Sequence, residues 1–105
     1  MGVKVFWTDF SKQQLNSIFT YYIDNATLRV AKQLVSGIVK ETQQLSAHYE
    51  IGQKEELLLE RKEDFRYLIF KKYKIIYWFN DVQNRVEVVD VFDTRQYPEK
   101  IKRKK

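Results

Sequence analysis

The sequence predicts an α+β fold: an N-terminal strand, an antiparallel helical hairpin, then a three-stranded antiparallel meander, forming one twisted sheet. Three observations predict it. Two stretches between residues 11 and 45 repeat apolar residues at helical spacing, with a short polar break between them. From Phe65 onward, three runs rich in aromatic and β-branched residues replace that period. The order, one strand, two helices and then three strands, places the helices together on one face of a sheet.

Val3 to Thr8, with Val5, Phe6 and Trp7, predicts the first strand, which joins the sheet at an edge of the meander. Ser11 followed by Gln14 is a capping-box pattern, in which each side chain satisfies a backbone N–H at a helix start. Behind it Leu15, Ile18, Phe19, Tyr22 and Ile23 form one apolar helix face. Asp24-Asn25-Ala26-Thr27 breaks the pattern with residues that favour caps.

A second helical stripe follows at Ala31, Leu34, Val35, Ile38, Val39, Thr42 and Leu45. Gly37 sits inside it at a cost of about 1 kcal/mol relative to Ala, which a close contact with a neighbouring element would explain. So short a connection between two helices predicts an antiparallel pair. Gln53 to Lys62, with Leu57-Leu58-Leu59 among acids and an arginine, reads as a short irregular element, helical turn or strand.

Phe65 to Phe70, Tyr73 to Phe79 and Val86 to Phe92 are the meander strands, joined at Lys71-Lys72 and at the turn formers Asp81-Val82-Gln83-Asn84. In the middle strand Tyr73, Ile75, Tyr77 and Phe79 share one face and Lys74, Ile76, Trp78 and Asn80 the other. Large apolar groups on both faces predict a central strand covered on both sides. In the last strand, strict alternation sets Val86, Val88, Asp90 and Phe92 against Glu87, Val89, Val91 and Asp93.

At 105 residues the chain predicts one domain, 1–105, and 44% hydrophobic content supplies a core without staples. Cysteine is absent, which excludes disulfides and thiolate metal sites. No apolar run approaches the roughly 18 residues of a membrane span, and the first residues lack a signal peptide's apolar stretch, so the expectation is cytoplasmic with no membrane partner. A net charge of +5 favours an anionic macromolecular partner. Lys100, Lys102, Arg103, Lys104 and Lys105 form a basic tail from about residue 100.

Familiar catalytic patterns are missing. The three glycines stand far apart, so no phosphate loop exists, and the single histidine, His48, reads as a loop residue. Asp90 and Asp93 fall on opposite strand faces, which argues against paired-acid hydrolysis. Basic and aromatic groups gather instead on the sheet and its exits. The candidate target-binding residues are Arg66, Lys71, Lys72, Arg85, Lys102 and Arg103, and the candidate catalytic ones are Lys74, Arg95 and Tyr97. Asp93, two residues before Arg95, is placed to orient it.

"YKIIYWFND" from Tyr73 and "VEVVDVFDTRQYPEK" from Val86 resemble the RelE/ParE superfamily, the toxin halves of type II toxin–antitoxin modules, often described as plasmid stabilisation proteins. The order of elements resembles that fold too. The resemblance implies a toxin that arrests growth through a macromolecular target, with a cognate antitoxin as partner and neither cofactor nor metal. Two branches follow. ParE-like members inhibit DNA gyrase, and RelE-like members cleave mRNA on the ribosome without metal, using basic groups on the sheet and a tyrosine or histidine near the C-terminus.

The catalytic arginine position of the RNA cleavers holds Lys74 here, which keeps the charge and loses the two-point fork. Arg95 matches their arginine beyond the last strand, Lys71 and Lys72 loosely match their lysine pair, and Tyr97 falls earlier than their tyrosine. The resemblance therefore leans toward gyrase inhibition, and enzymatic activity stays open. The alternatives are ribosome-dependent mRNA cleavage and a non-toxic RNA-binding module on the same basic–aromatic sheet.

Overall fold

A computed structural model of the protein describes residues 2–103; Lys104 and Lys105 of the expected basic tail lie outside the described residues. The elements are β1 (Lys4–Trp7), α1 (Asp9–Asn25), α2 (Leu28–Gln43), β2 (Gln53–Lys54), β3 (Arg66–Phe70), β4 (Tyr73–Asn80) and β5 (Arg85–Asp93). Short 3-10 segments lie at Gln44–Ser46, Glu56–Leu58 and Pro98–Lys102. The α+β reading holds. The strands form one sheet in the order β1-β5-β4-β3-β2, with β1 parallel to β5 and the other neighbours antiparallel.

β1 does sit at an edge of the meander, and its parallel pairing follows from the long connection that the helical hairpin provides. β2 is a fifth strand beyond the expected four. It is two residues long, with Gln53 opposite Tyr67 and Lys54 opposite Arg66, too short for any period to reveal.

Local sequence explains the helix ends. Thr8, and not Ser11, caps α1: its hydroxyl accepts from the Ser11 N–H at 3.2 Å, while the Ser11 hydroxyl donates to the Thr8 carbonyl at 2.8 Å. The expected box is displaced because Thr8 has the same capping chemistry one turn earlier. Thr27 caps α2 through the Val30 N–H. Gly37 explains itself, since a Cβ there would run into the Phe70 ring of β3.

Two apolar layers enclose the sheet. On one face Leu34 and Ile38 of α2 pack with Leu68, Tyr73, Ile75, Tyr77, Val86, Val88 and Val91, and Leu15, Ile18 and Tyr22 of α1 close against them. On the other, Leu58 and Ile101 from the 3-10 segments pack with Phe65, Ile76 and Phe92. β4 is thus central and covered on both sides.

In β5 the alternation changes partway. Ile76 faces Asp90 but Tyr77 faces Val88, so Val89 is an extra residue forming a β-bulge. Strict alternation would group Asp90 and Phe92 with Val86 and Val88. The bulge instead gives Val91 and Asp93 to the helix-covered face and turns Asp90 and Phe92 to the opposite one.

Candidate functional site

The bulge decides where the predicted site residues point. Asp93 pairs with Tyr73 across β4 and β5, while Lys74 pairs with Phe92, so the two positions occupy opposite faces. Lys74 therefore faces away from the helices. Its ammonium lies 2.9 Å from Glu55 Oε1 and 4.3 Å from the centre of the Tyr67 ring. Glu55 is only 2% exposed, and its other oxygen accepts from the Leu57 N–H at the start of a 3-10 turn. Lys74 is an internal fastener for that turn.

Arg95 sits on the helix side. Its Nε and Nη2 bind the two oxygens of Asp93 at 3.1 and 2.7 Å, and its backbone N–H binds the first of them at 2.9 Å. Asp93 does orient Arg95. Hydrogen bonding from Arg95 holds the Asp93 carboxyl below the usual carboxylate range despite its partial burial. Lys74 and Arg95 are not brought together.

The remaining predicted cations are dispersed. Arg66 pairs with Asp64 and donates to the carbonyls of Glu50 and Gly52. Arg85 pairs with Glu87 and lies over the Phe6 ring. Lys102 lies 3.8 Å from both Glu60 and Glu99, and Arg103 reaches buried Asp90 and Gln14 Oε1. Tyr97 is 71% exposed just before Pro98. Lys71 and Lys72 form the tight β3–β4 turn, and neither has a carboxylate at ion-pair distance among the described residues.

What the structure does gather is a corner where α1, the β3–β4 turn and the β5 exit meet. The hydroxyl and backbone N–H of Thr94 both bind the Lys72 carbonyl, at 2.8 and 2.9 Å, which ties the turn to the strand exit. The Lys72 ammonium lies 5.3 Å from the centre of the Tyr22 ring. Hydrogen bonding from Lys72 and Tyr73 holds the Tyr22 hydroxyl below the ordinary tyrosine range, whereas burial pushes Tyr73 well above it. Tyr73 lines clefts on either side, one of about 290 Å³ toward Arg95 and one of about 420 Å³ toward Lys72. In the sequence Tyr22 belongs to the apolar stripe of α1, and its hydroxyl, at the last turns of that helix, is the one signal for this corner.

A second feature is an apolar groove of about 620 Å³ between β1 and the helices, lined by Phe6, Trp7, Leu15, Phe19, Val35 and Val39, with Lys4 and Lys12 beside it. β1 is the outer strand there, so its far backbone edge has no strand neighbour among the described residues. No three His, Asp or Glu residues gather as metal ligands would among the described residues. No helix is long and apolar enough to cross a membrane.

A family model described as the ParE toxin of a type II toxin–antitoxin system, parDE, matches residues 5–98. No curated protein matches the sequence. Among solved structures, the chain is similar in fold to one described as the chromosomal ParDE TA system from P. aeruginosa, with a TM-score of 0.71 at 15% identity. That likeness covers 87% of this chain and 95% of the other.

Proposed function

Because the chain belongs to the ParE toxin family of type II toxin–antitoxin systems, we propose that it arrests growth by binding DNA gyrase and does so without cleaving RNA. The observation that carries this reading is the separation of Lys74 from Arg95. Metal-free RNA cleavage needs several positive groups converging on one phosphate, to stabilise the charge that builds in the transition state. Here Lys74 is spent on Glu55 and Arg95 is held by Asp93 on the opposite sheet face. Tyr97 stands exposed ahead of Pro98 and is not among the residues that line the cleft beside Lys74, which Glu55 and Tyr67 help to form. A binding toxin needs no such convergence.

The antitoxin takes the groove beside β1. An apolar floor suits the buried side of an extended or helical segment, the free β1 edge offers backbone hydrogen bonds, and Lys4 and Lys12 favour acidic residues along its border.

Expression of the chain alone tests the first claim: growth arrest relieved by the protein encoded beside it is expected, and healthy cells overturn it. Purified protein tests the second. Loss of gyrase supercoiling with intact mRNA is expected, whereas ribosome-dependent cleavage abolished by Arg95→Ala overturns the gyrase reading.

A further inference from the structure

Tyr22 and Tyr73 pack into the domain through their rings, and three separate elements deliver polar groups to the corner that these two form with Lys72 and Arg95. Lys72 and Lys71 lack carboxylate partners among the described residues, and Asp93 is the one acid that bears on Tyr73 and Arg95 there. Arg95 is locked by two side-chain bonds through Nε and Nη2, which leaves Nη1 without a hydrogen bond among the described residues. Lys72 is anchored through its carbonyl by Thr94. A ligand would meet groups already oriented, with little ordering left to do.

We propose that this corner is a seat for a phosphodiester of a nucleic acid, with Lys72 and Arg95 supplying charge, the Tyr22 hydroxyl supplying a hydrogen bond, and Tyr73 holding Tyr22 in place. The two cations and the Tyr22 phenol are donors enough for both free oxygens of a phosphate. Exposed rings lie close by: Tyr21, 53% exposed, lines the Arg95 cleft, and Tyr97 follows Arg95 by two residues. Bases stack on such rings, whereas a carboxylate of an acidic peptide would leave them unused. The lowered Tyr22 hydroxyl reports the same positive potential, which persists with Asp93 in place. The seat deepens the toxin reading, since a protein acting on gyrase would meet DNA there. It depends on that reading only for its use in the cell.

The test uses the full chain with a short labelled single-stranded DNA and an RNA of the same sequence, titrated across salt. Lys72→Gln is expected to weaken binding roughly tenfold and to flatten the log–log salt dependence by roughly 0.7, one phosphate contact on a single strand. Tyr22→Phe, which changes no charge, is expected to weaken it roughly fivefold, one hydrogen bond. Lys40→Gln, at the far end of α2, removes equal charge and should leave affinity within roughly twofold of wild type at constant salt. Binding by either polymer with this pattern supports the seat, and their ratio tells which one presents the phosphate.

Equal losses in Lys72→Gln and Lys40→Gln, with none in Tyr22→Phe, overturn it in favour of undirected charge. So does variant-sensitive binding of a glutamate-rich peptide with no binding of either oligonucleotide. Wild-type protein that arrests growth but binds neither polymer sinks the seat and leaves the toxin reading standing. Binding without arrest does the reverse.

Discussion

Lys74 and Glu55 are joined at 2.9 Å on the sheet face away from the helical hairpin, and the same ammonium rests over the Tyr67 ring. The pair links the central strand to the 3-10 turn that carries Leu58 into the second apolar layer. A cation that looks functional by its place on β4 is thereby committed to structure. Breaking one side of such a pair leaves a charge stranded in a poorly hydrated place.

Lys74→Ala is accordingly expected to destabilise the fold by about 2 kcal/mol, less than for a fully buried pair because part of Lys74 reaches solvent. Urea unfolding measures this. A double replacement, Glu55→Gln with Lys74→Met, should recover part of the loss. Folded Lys74→Ala protein should still arrest growth; loss of arrest at full stability would give Lys74 a direct role.

The Asp93–Arg95 fork predicts an acid-sensitive margin. The folded Asp93 carboxyl releases its proton at lower pH than the unfolded one, because Arg95 hydrogen-bonds to it. Its contribution is therefore whole above about pH 4 and fades as pH falls through the lower folded value. The difference in melting temperature between wild type and Arg95→Ala should shrink toward zero on acidification. Asp64, lowered by Lys54 and Arg66 against its burial, titrates in both proteins and cancels. A gap that ignores pH would refute the assignment.

Tyr77 governs the alkaline side. Burial raises its hydroxyl, which accepts from the Gly52 N–H at 2.8 Å and donates to the Tyr49 carbonyl at 2.9 Å. Tyr77→Phe strands the Gly52 N–H and should cost about 2 kcal/mol at neutral pH. A raised tyrosine stabilises fully below about pH 10 and loses that contribution as pH climbs toward its folded value. Wild-type stability should fall above that point, and the fall should be shallower in Tyr77→Phe, where Tyr73 alone of the two remains. Parallel curves would contradict this.

Within the groove, Val35→Glu puts a carboxylate onto an apolar floor. Antitoxin affinity should drop by roughly 100-fold, the cost of an unpaired charge in the centre of an interface. Titration calorimetry reads it, and co-expression should then fail to rescue growth. Unchanged affinity would move the antitoxin elsewhere.

Much of this architecture is legible from local pattern. The α1 and α2 stripes and the meander strands each carry their own period, and Gly37 announces a close approach. Three features escaped for physical reasons. β2 is held by pairing with β3 and has no period of its own. Val88 and Val89 are both apolar, so nothing in the composition marks an extra residue there, and its presence decides the side on which Asp93 emerges. Lys72 and Tyr22 are far apart in the chain, so their meeting depends on the helical hairpin folding back over the turn.

The inserted Val89 has a consequence for how this strand can be rewritten. Deleting that single amino acid would make the ladder regular, with Val88 opposite Tyr77 and Asp90 opposite Ile76 as now, and would leave Val91, Asp93 and the arginine beyond them on their present side. The first half of the strand, gripped between its two neighbours, would keep its place. The corner beside Tyr22 thus tolerates loss of the extra amino acid, whereas the intact strand pulled into unbroken alternation would lose it.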